Sequence, residues 1–199
     1  MRKASLFLCA LLLLSCAGFG QNLSQTDRDK GLQYLEQTRD GVIAATKGLS
    51  DTQMKFKPAP DRWSVVEVVE HITKVEDGIF QNVTLKVMKA PADAADRDPV
   101  KMDAMVLTMV PDRSHKRQAP PEFVPTDSAT PAETLDHFLK TRAKTIEFLQ
   151  STPDLRAHVA DSPLGPLDAY EWLLFTSAHS DRHTKQILEV KADPNFPKN

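Results

Sequence analysis

The chain has 199 residues, with 25 basic and 27 acidic side chains and a formal net charge of −2, a balance that leaves no electrostatic footprint for a nucleic-acid partner. Cysteine occurs only twice, as Cys9 and Cys16. Beyond residue 16 the chain therefore has no disulfide to stabilise it and no thiol to act as nucleophile or zinc ligand.

At the N-terminus, Arg2 and Lys3 precede an apolar run from Leu6 to Leu14 and the small-residue stretch Ser15-Cys16-Ala17-Gly18-Phe19-Gly20. This is the layout of a secretory signal, and its apolar part is too short to span a bilayer. The small-x-small spacing of Gly18 and Gly20 places cleavage after Gly20. Residues 1–20 are accordingly read as a cleaved export signal and 21–199 as a single domain of a periplasmic or secreted protein. Leu13-Leu14-Ser15-Cys16 offers an alternative, a lipobox leaving a lipid anchor on Cys16. Losing Arg2 and Lys3 leaves 23 basic against 27 acidic residues, a net charge of −4. No later segment is long and apolar enough for a membrane span.

From Leu23 to Leu49, the residues Leu32, Leu35, Val42, Ile43 and Leu49 recur at helical spacing and predict a first helix, with Gly31 and Gly41 counting against it. Lys57-Pro58-Ala59-Pro60-Asp61 breaks the chain. Ser64, with Glu67 three residues on, then forms a capping box that opens a second helix over 64–89 along Val65, Val68, Val69, Ile72, Val75, Ile79 and Val83. Residues 90–129 are rich in proline and mixed charge, and only Met102 to Val110 is apolar enough for a short helix or strand. At Thr130-Pro131-Ala132-Glu133 a cap, an N1 proline and an N3 glutamate coincide. They open a third helix along Leu135, Phe138, Leu139, Arg142, Ile146 and Leu149 that stops near Pro153. Ser162-Pro163-Leu164-Gly165-Pro166 precedes a fourth, from about Leu167 to Val190. The expected fold is all-α, a four-helix bundle with a long crossover between the second and third helices.

Of six histidines, His115 in the connection, His158 in the loop before the fourth helix and His137 beside the stripe of the third read as surface residues. His179 and His183 differ, because a spacing of four sets both rings on one helix face about one turn apart. They share a stripe with Trp172, Thr176, Ile187 and Val190, the face that should point into the bundle. The pattern leaves two readings open, a hydrogen-bonded pair of core histidines or two ligands of one metal ion. A third ligand would have to come from another helix. His71 lies at the margin of the valine-rich face, about a quarter turn from its centre, where a pocket would be reached from solvent. Glu67 already has a role in the capping box, Trp63 reads as a packing residue at the helix start, and Gln186 is either a pocket donor or a polar residue at the stripe's edge.

Trp63-Ser64-Val65-Val66-Glu67-Val68-Val69-Glu70-His71-Ile72, followed by His179-Ser180-Asp181-Arg182-His183-Thr184-Lys185-Gln186-Ile187, resembles the DinB-like superfamily over about residues 25–190. The resemblance implies a four-helix bundle in which His71, His179 and His183 hold a divalent metal. Three imidazoles would leave coordination open on zinc or nickel, the first expectations, or on iron or manganese. The implied function is a metal-dependent enzyme of hydrolase or thiol S-transferase type acting on a small molecule, with a homodimer as one assembly. No Asp or Glu on the fourth-helix stripe supplies a general base, so no catalytic residue is named. The alternative is a non-catalytic extracytoplasmic metal- or ligand-binding bundle. In either case metal affinity is expected to rise with pH through the imidazole range near 6.5.

Overall fold

Each long helix begins where a side chain takes up the free amides of its first turn. The computed structural model describes residues 22–91, 97–126 and 128–198, so the expected export signal at 1–20 lies outside the described residues. Ser24 caps α1 (Gln25–Thr46), whereas Ser64, Thr130 and Asp168 form complete capping boxes that open α3 (Val65–Leu85), α5 (Pro131–Ser151) and α6 (Ala169–Lys191). The first helix does not run to Leu49: Gly48 turns the chain with φ 75°. Ser50 and Gln53 then make a further capping box for the short α2 (Asp51–Lys55). The second predicted helix stops at Leu85 rather than 89, and a 3-10 turn follows at Val87–Lys89. The apolar stretch of the connection is helical, α4 (Pro99–Met109), capped by Asp98. Before α6, two-residue strands β1 (Val159–Ala160) and β2 (Leu167–Asp168) pair antiparallel.

α1 and α3 each pack against both α5 and α6, so the four long helices form a ring with α1 opposite α3. The core shows which way each helix runs. At one end lie Leu35 of α1, Val75, Ile79 and Val83 of α3, Leu149 of α5 and Leu173 and Ala178 of α6. At the other lie Val42 and Ala45 of α1, Val65 to Ile72 of α3, Phe138 of α5 and Ile187 and Val190 of α6. α3 and α5 are therefore parallel neighbours, and the chain between them must return along the length of the bundle. That requirement accounts for the long crossover, which carries α4 against α6. No helix among the described residues is long and apolar enough to cross a membrane.

Between the two apolar clusters the bundle is polar. Arg142 of α5 is fully buried, with Nε and Nη2 donating to the two Glu76 carboxylate oxygens of α3 at 2.8 Å each. Nη1 donates to the Leu35 carbonyl and the Thr38 hydroxyl of α1 at 2.7 and 2.9 Å, and Nη2 to Ser180 of α6 at 2.8 Å. Thr145 donates to Glu76 as well, at 2.8 Å. One guanidinium thus ties all four helices, and all five of its N–H groups have acceptors.

Glu76→Ala leaves a buried cation without its counter-charge and should lower unfolding free energy by about 3–5 kcal/mol. The paired change Glu76→Leu with Arg142→Met should cost less than Glu76→Ala alone, because it strands no charge. Urea titrations of the three proteins check this; a Glu76→Ala protein as stable as the unmodified chain would show that the pair does not hold the bundle.

Candidate metal centre

α3 carries His71 in its second turn, and α6 carries His179 and His183 one turn apart. The two helices are antiparallel neighbours, so the N-terminal half of α3 lies beside the C-terminal half of α6. The three rings converge there. His71 lies 5.1 Å from His179 and 4.6 Å from His183, centroid to centroid, and His179 lies 4.3 Å from His183. One nitrogen from each falls within 4.8 Å of the others, a group that could hold a metal ion.

His71 and His183 are buried, 4% and 8% exposed, while His179 keeps partial exposure. The expectation that His71 sits at an open margin is therefore corrected. Its ring is covered by Trp63, 4.7 Å away between centroids, the packing role expected of that residue, and by the crossover around Phe123. The Phe123 ring reaches α3 at Gly78, where a Cβ would stand 2.7 Å from Phe123 Cε1 and push the crossover away. Lys74 bonds the Val124 carbonyl at 2.9 Å, and the Thr126 amide bonds Glu70 at 2.9 Å. Across the site, Arg182 donates to the carbonyls of Asp112 and His115. Residues 112–126 are thus fastened to both helices that supply the histidines.

Two of the three rings have their tautomers set by these surroundings. His71 Nδ1 lies 2.8 Å from the Phe123 carbonyl oxygen, which can only accept, so Nδ1 carries the hydrogen and Nε2 the lone pair. His183 Nδ1 stands 2.8 Å from Gln186 Oε1 with the same result. Gln186 therefore serves as an acceptor to a histidine and not as a pocket donor. Its position three residues after His183 was the readable signal; the Phe123 carbonyl, being backbone, gave none.

Burial lowers all three imidazole pKa values, with His183 and His71 depressing His179 further and His71 depressing His183. His179 falls well below 6.5 and His183 to about 3. Desolvation is the largest cause for each ring, and Lys74, Arg113 and Arg182 add positive charge nearby. The rings are consequently neutral at neutral pH. Three neutral imidazoles with free lone pairs suit a divalent first-row ion, so the donor set fits the expected group.

The remaining histidines stay apart. His115 is exposed, and His137 is 63% exposed beside Asp77 at 3.1 Å. His158 is not on the surface as expected: its side chain is 18% exposed, with Nδ1 2.7 Å from the Ala90 carbonyl. Glu67 is committed to the Ser64 amide at 2.7 Å and to Lys57 at 2.8 Å.

Residues 34–187 match the sequence model of the DinB superfamily. YuaE of Bacillus subtilis (strain 168), an uncharacterized protein, is 26% identical over 149 residues, covering 73% of this chain and 87% of YuaE. Among solved structures, the fold is shared with YfiT from Bacillus subtilis at a TM-score of 0.54 and 16% identity, covering 89% of this chain and 93% of that one. YfiT is described as a probable metal-dependent hydrolase with an unusual four-helix bundle topology. The matched residues take in α3 and most of α6 with all three clustered histidines, and the chain belongs to the DinB superfamily.

Proposed function

We propose that His71, His179 and His183 bind one divalent metal ion with a coordination position left open, and that the protein is a metal-dependent enzyme of hydrolase or thiol-transferase type acting on a small molecule. The observation that carries this reading is the convergence of three neutral imidazoles, two of them with Nδ1 already bonded to an acceptor so that Nε2 keeps the lone pair a metal would take. The description of YfiT supports it. Zinc or nickel fits the all-nitrogen donor set first, with iron or manganese as alternatives. When bound, such an ion supplies Lewis acidity, acidifying water or a thiol and polarising an electrophile. The chain's own part is to hold three ligands at fixed orientation and to shield two of them from solvent. One observation favours a non-catalytic metal- or ligand-binding bundle instead: among the described residues the cluster contains histidine alone, with no carboxylate to move a proton. Turnover of an ester or electrophile panel that disappears on chelation decides for the enzyme; none, with metal bound, decides for the binding bundle.

The reading includes export, which rests on the layout of residues 1–20, with Gln21 as the first mature residue and a lipid anchor on Cys16 as the alternative. Mass spectrometry of the N-terminus from the native host tests both, and an intact Met1 overturns both.

Purified protein should carry one divalent ion per chain, and His71→Ala, His179→Ala or His183→Ala should each abolish stoichiometric metal while His137→Ala leaves it unchanged. Full metal content in His71→Ala would refute the cross-helix group. None of the three histidines belongs to either apolar cluster, so the chelated protein should keep its helical circular dichroism; loss of helix on chelation would mark a structural site.

Depressed imidazole pKa values also fix a pH dependence. Below about 6.5 the unfolded chain takes up protons at these rings and the folded chain does not, so stability is full above that pH and falls as pH drops through it. Replacing His183 with Ala should flatten this slope in chelated protein, as urea titrations from pH 5 to 8 would show. With the ring pKa values lowered, proton competition with metal is expected to set in below pH 6.5 rather than through the ordinary histidine range.

A further inference from the structure

Gln186 can serve His183 only while its amide oxygen, rather than its NH2, faces the ring. On its other side stands Arg113, from the connection after α4, with Nη1 3.4 Å from the same Oε1. The direction of this guanidinium is set by Glu189, one turn further along α6, which accepts from Nε at 2.8 Å and Nη2 at 2.6 Å in a two-pronged pair. The fork leaves Nη1 pointing back along the helix at Gln186. A guanidinium offers donors only, so an overturned amide would set NH2 against Nη1 and against the His183 Nδ1 hydrogen, losing both bonds. With the oxygen held in place, His183 keeps its hydrogen on Nδ1 and its lone pair on Nε2. The carbonyl of Phe123 does the same for His71 without help, because a carbonyl has no donor face to turn. Gln186 has two faces and needs a third residue to choose between them.

We propose that Arg113 is a positioning residue of the metal centre, acting through Gln186 to fix the ring orientation and tautomer in which His183 presents Nε2 to a divalent ion. The inference rests on the three-histidine reading above. It makes the crossover more than a cover: one of its side chains sets a ligand on a helix it does not belong to. Outer partners of metal-bound histidines commonly change affinity about 10- to 100-fold when removed.

Cobalt(II) and zinc affinities of the full chain, by competition with a chromophoric chelator, and the cobalt absorption spectrum test it in five variants. Arg113→Met and Gln186→Leu should each weaken metal binding about 10-fold or more and shift the cobalt band alike, and the double variant should be no weaker than Gln186→Leu alone. Gln186→Glu, whose carboxylate has no donor face, should bind well by itself and restore affinity and spectrum in the Arg113→Met background. A strut that merely holds residues 111–117 would not be rescued this way, and losses that add without rescue overturn the proposal. So does an Arg113→Met protein with unchanged affinity and spectrum. If Arg113→Met does not fold, Arg113→Lys gives the same reading, since an ammonium cannot span Glu189 and Gln186 as the fork does; unchanged binding there is equally fatal. Unmodified protein that binds neither metal overturns the three-histidine reading itself, whereas normal binding with an indifferent Arg113 overturns this proposal alone.

Discussion

The contacts of Arg142 are the constraint on which the rest of the bundle depends. A buried ion pair gains little over well-packed apolar side chains in free energy, so its contribution is best understood as choosing one arrangement among several. Apolar clusters above and below could be satisfied by helices slid along one another by a turn, since valine and leucine have no directional demands. A guanidinium whose five donors reach Glu76, Leu35, Thr38 and Ser180 cannot tolerate such a slide without stranding charge in the core. Glu76 lies five residues beyond His71 on α3, and Ser180 stands next to His179 on α6. The register that satisfies Arg142 is therefore the register that brings the three histidines together.

The crossover follows from the same topology. Parallel neighbours α3 and α5 oblige the chain to travel back along the bundle, and residues 112–126 lie across the α3–α6 side on that return. What the connectivity demands as length is used as a wall: the Phe123 carbonyl orients His71, its ring seats against Gly78, and Arg182 holds the opposite margin through two backbone carbonyls. A direct link between the two helices could supply none of these contacts.

What was legible in the sequence was local. Ser64 with Glu67 and Thr130 with Glu133 mark helix starts within four residues, and the valine spacing of α3 needs no partner to be recognised. The five-residue α2 escaped because its stretch is too short to show a period, although Ser50 with Gln53 carries the same capping signature. Strands of two residues escaped for the same reason. Arg142 could be placed on its stripe, yet its partner on α3 could not be named, because pairing charges across helices requires their relative register. His71 was assigned to the right face and the wrong exposure: helical-wheel geometry places a residue on its own helix and carries no information on Trp63 or on a backbone carbonyl 52 residues away.

The electrostatics of the site lead one step further. Burial keeps the imidazoles neutral, so a divalent ion entering the cluster would gain three good donors and lose none of its charge. Lys74, Arg113 and Arg182 stand on both sides of the cluster, and each has a carboxylate of its own nearby: Glu70 at 2.9 Å from Lys74, Glu189 against Arg113, and Asp112 beside Arg182. A cation left without such a partner beside buried rings would be costly, because nothing there would offset its desolvation. Arg182, fastened to two backbone carbonyls, and Arg113, paired with Glu189, are therefore committed to partners of their own and are not free to swing onto the rings.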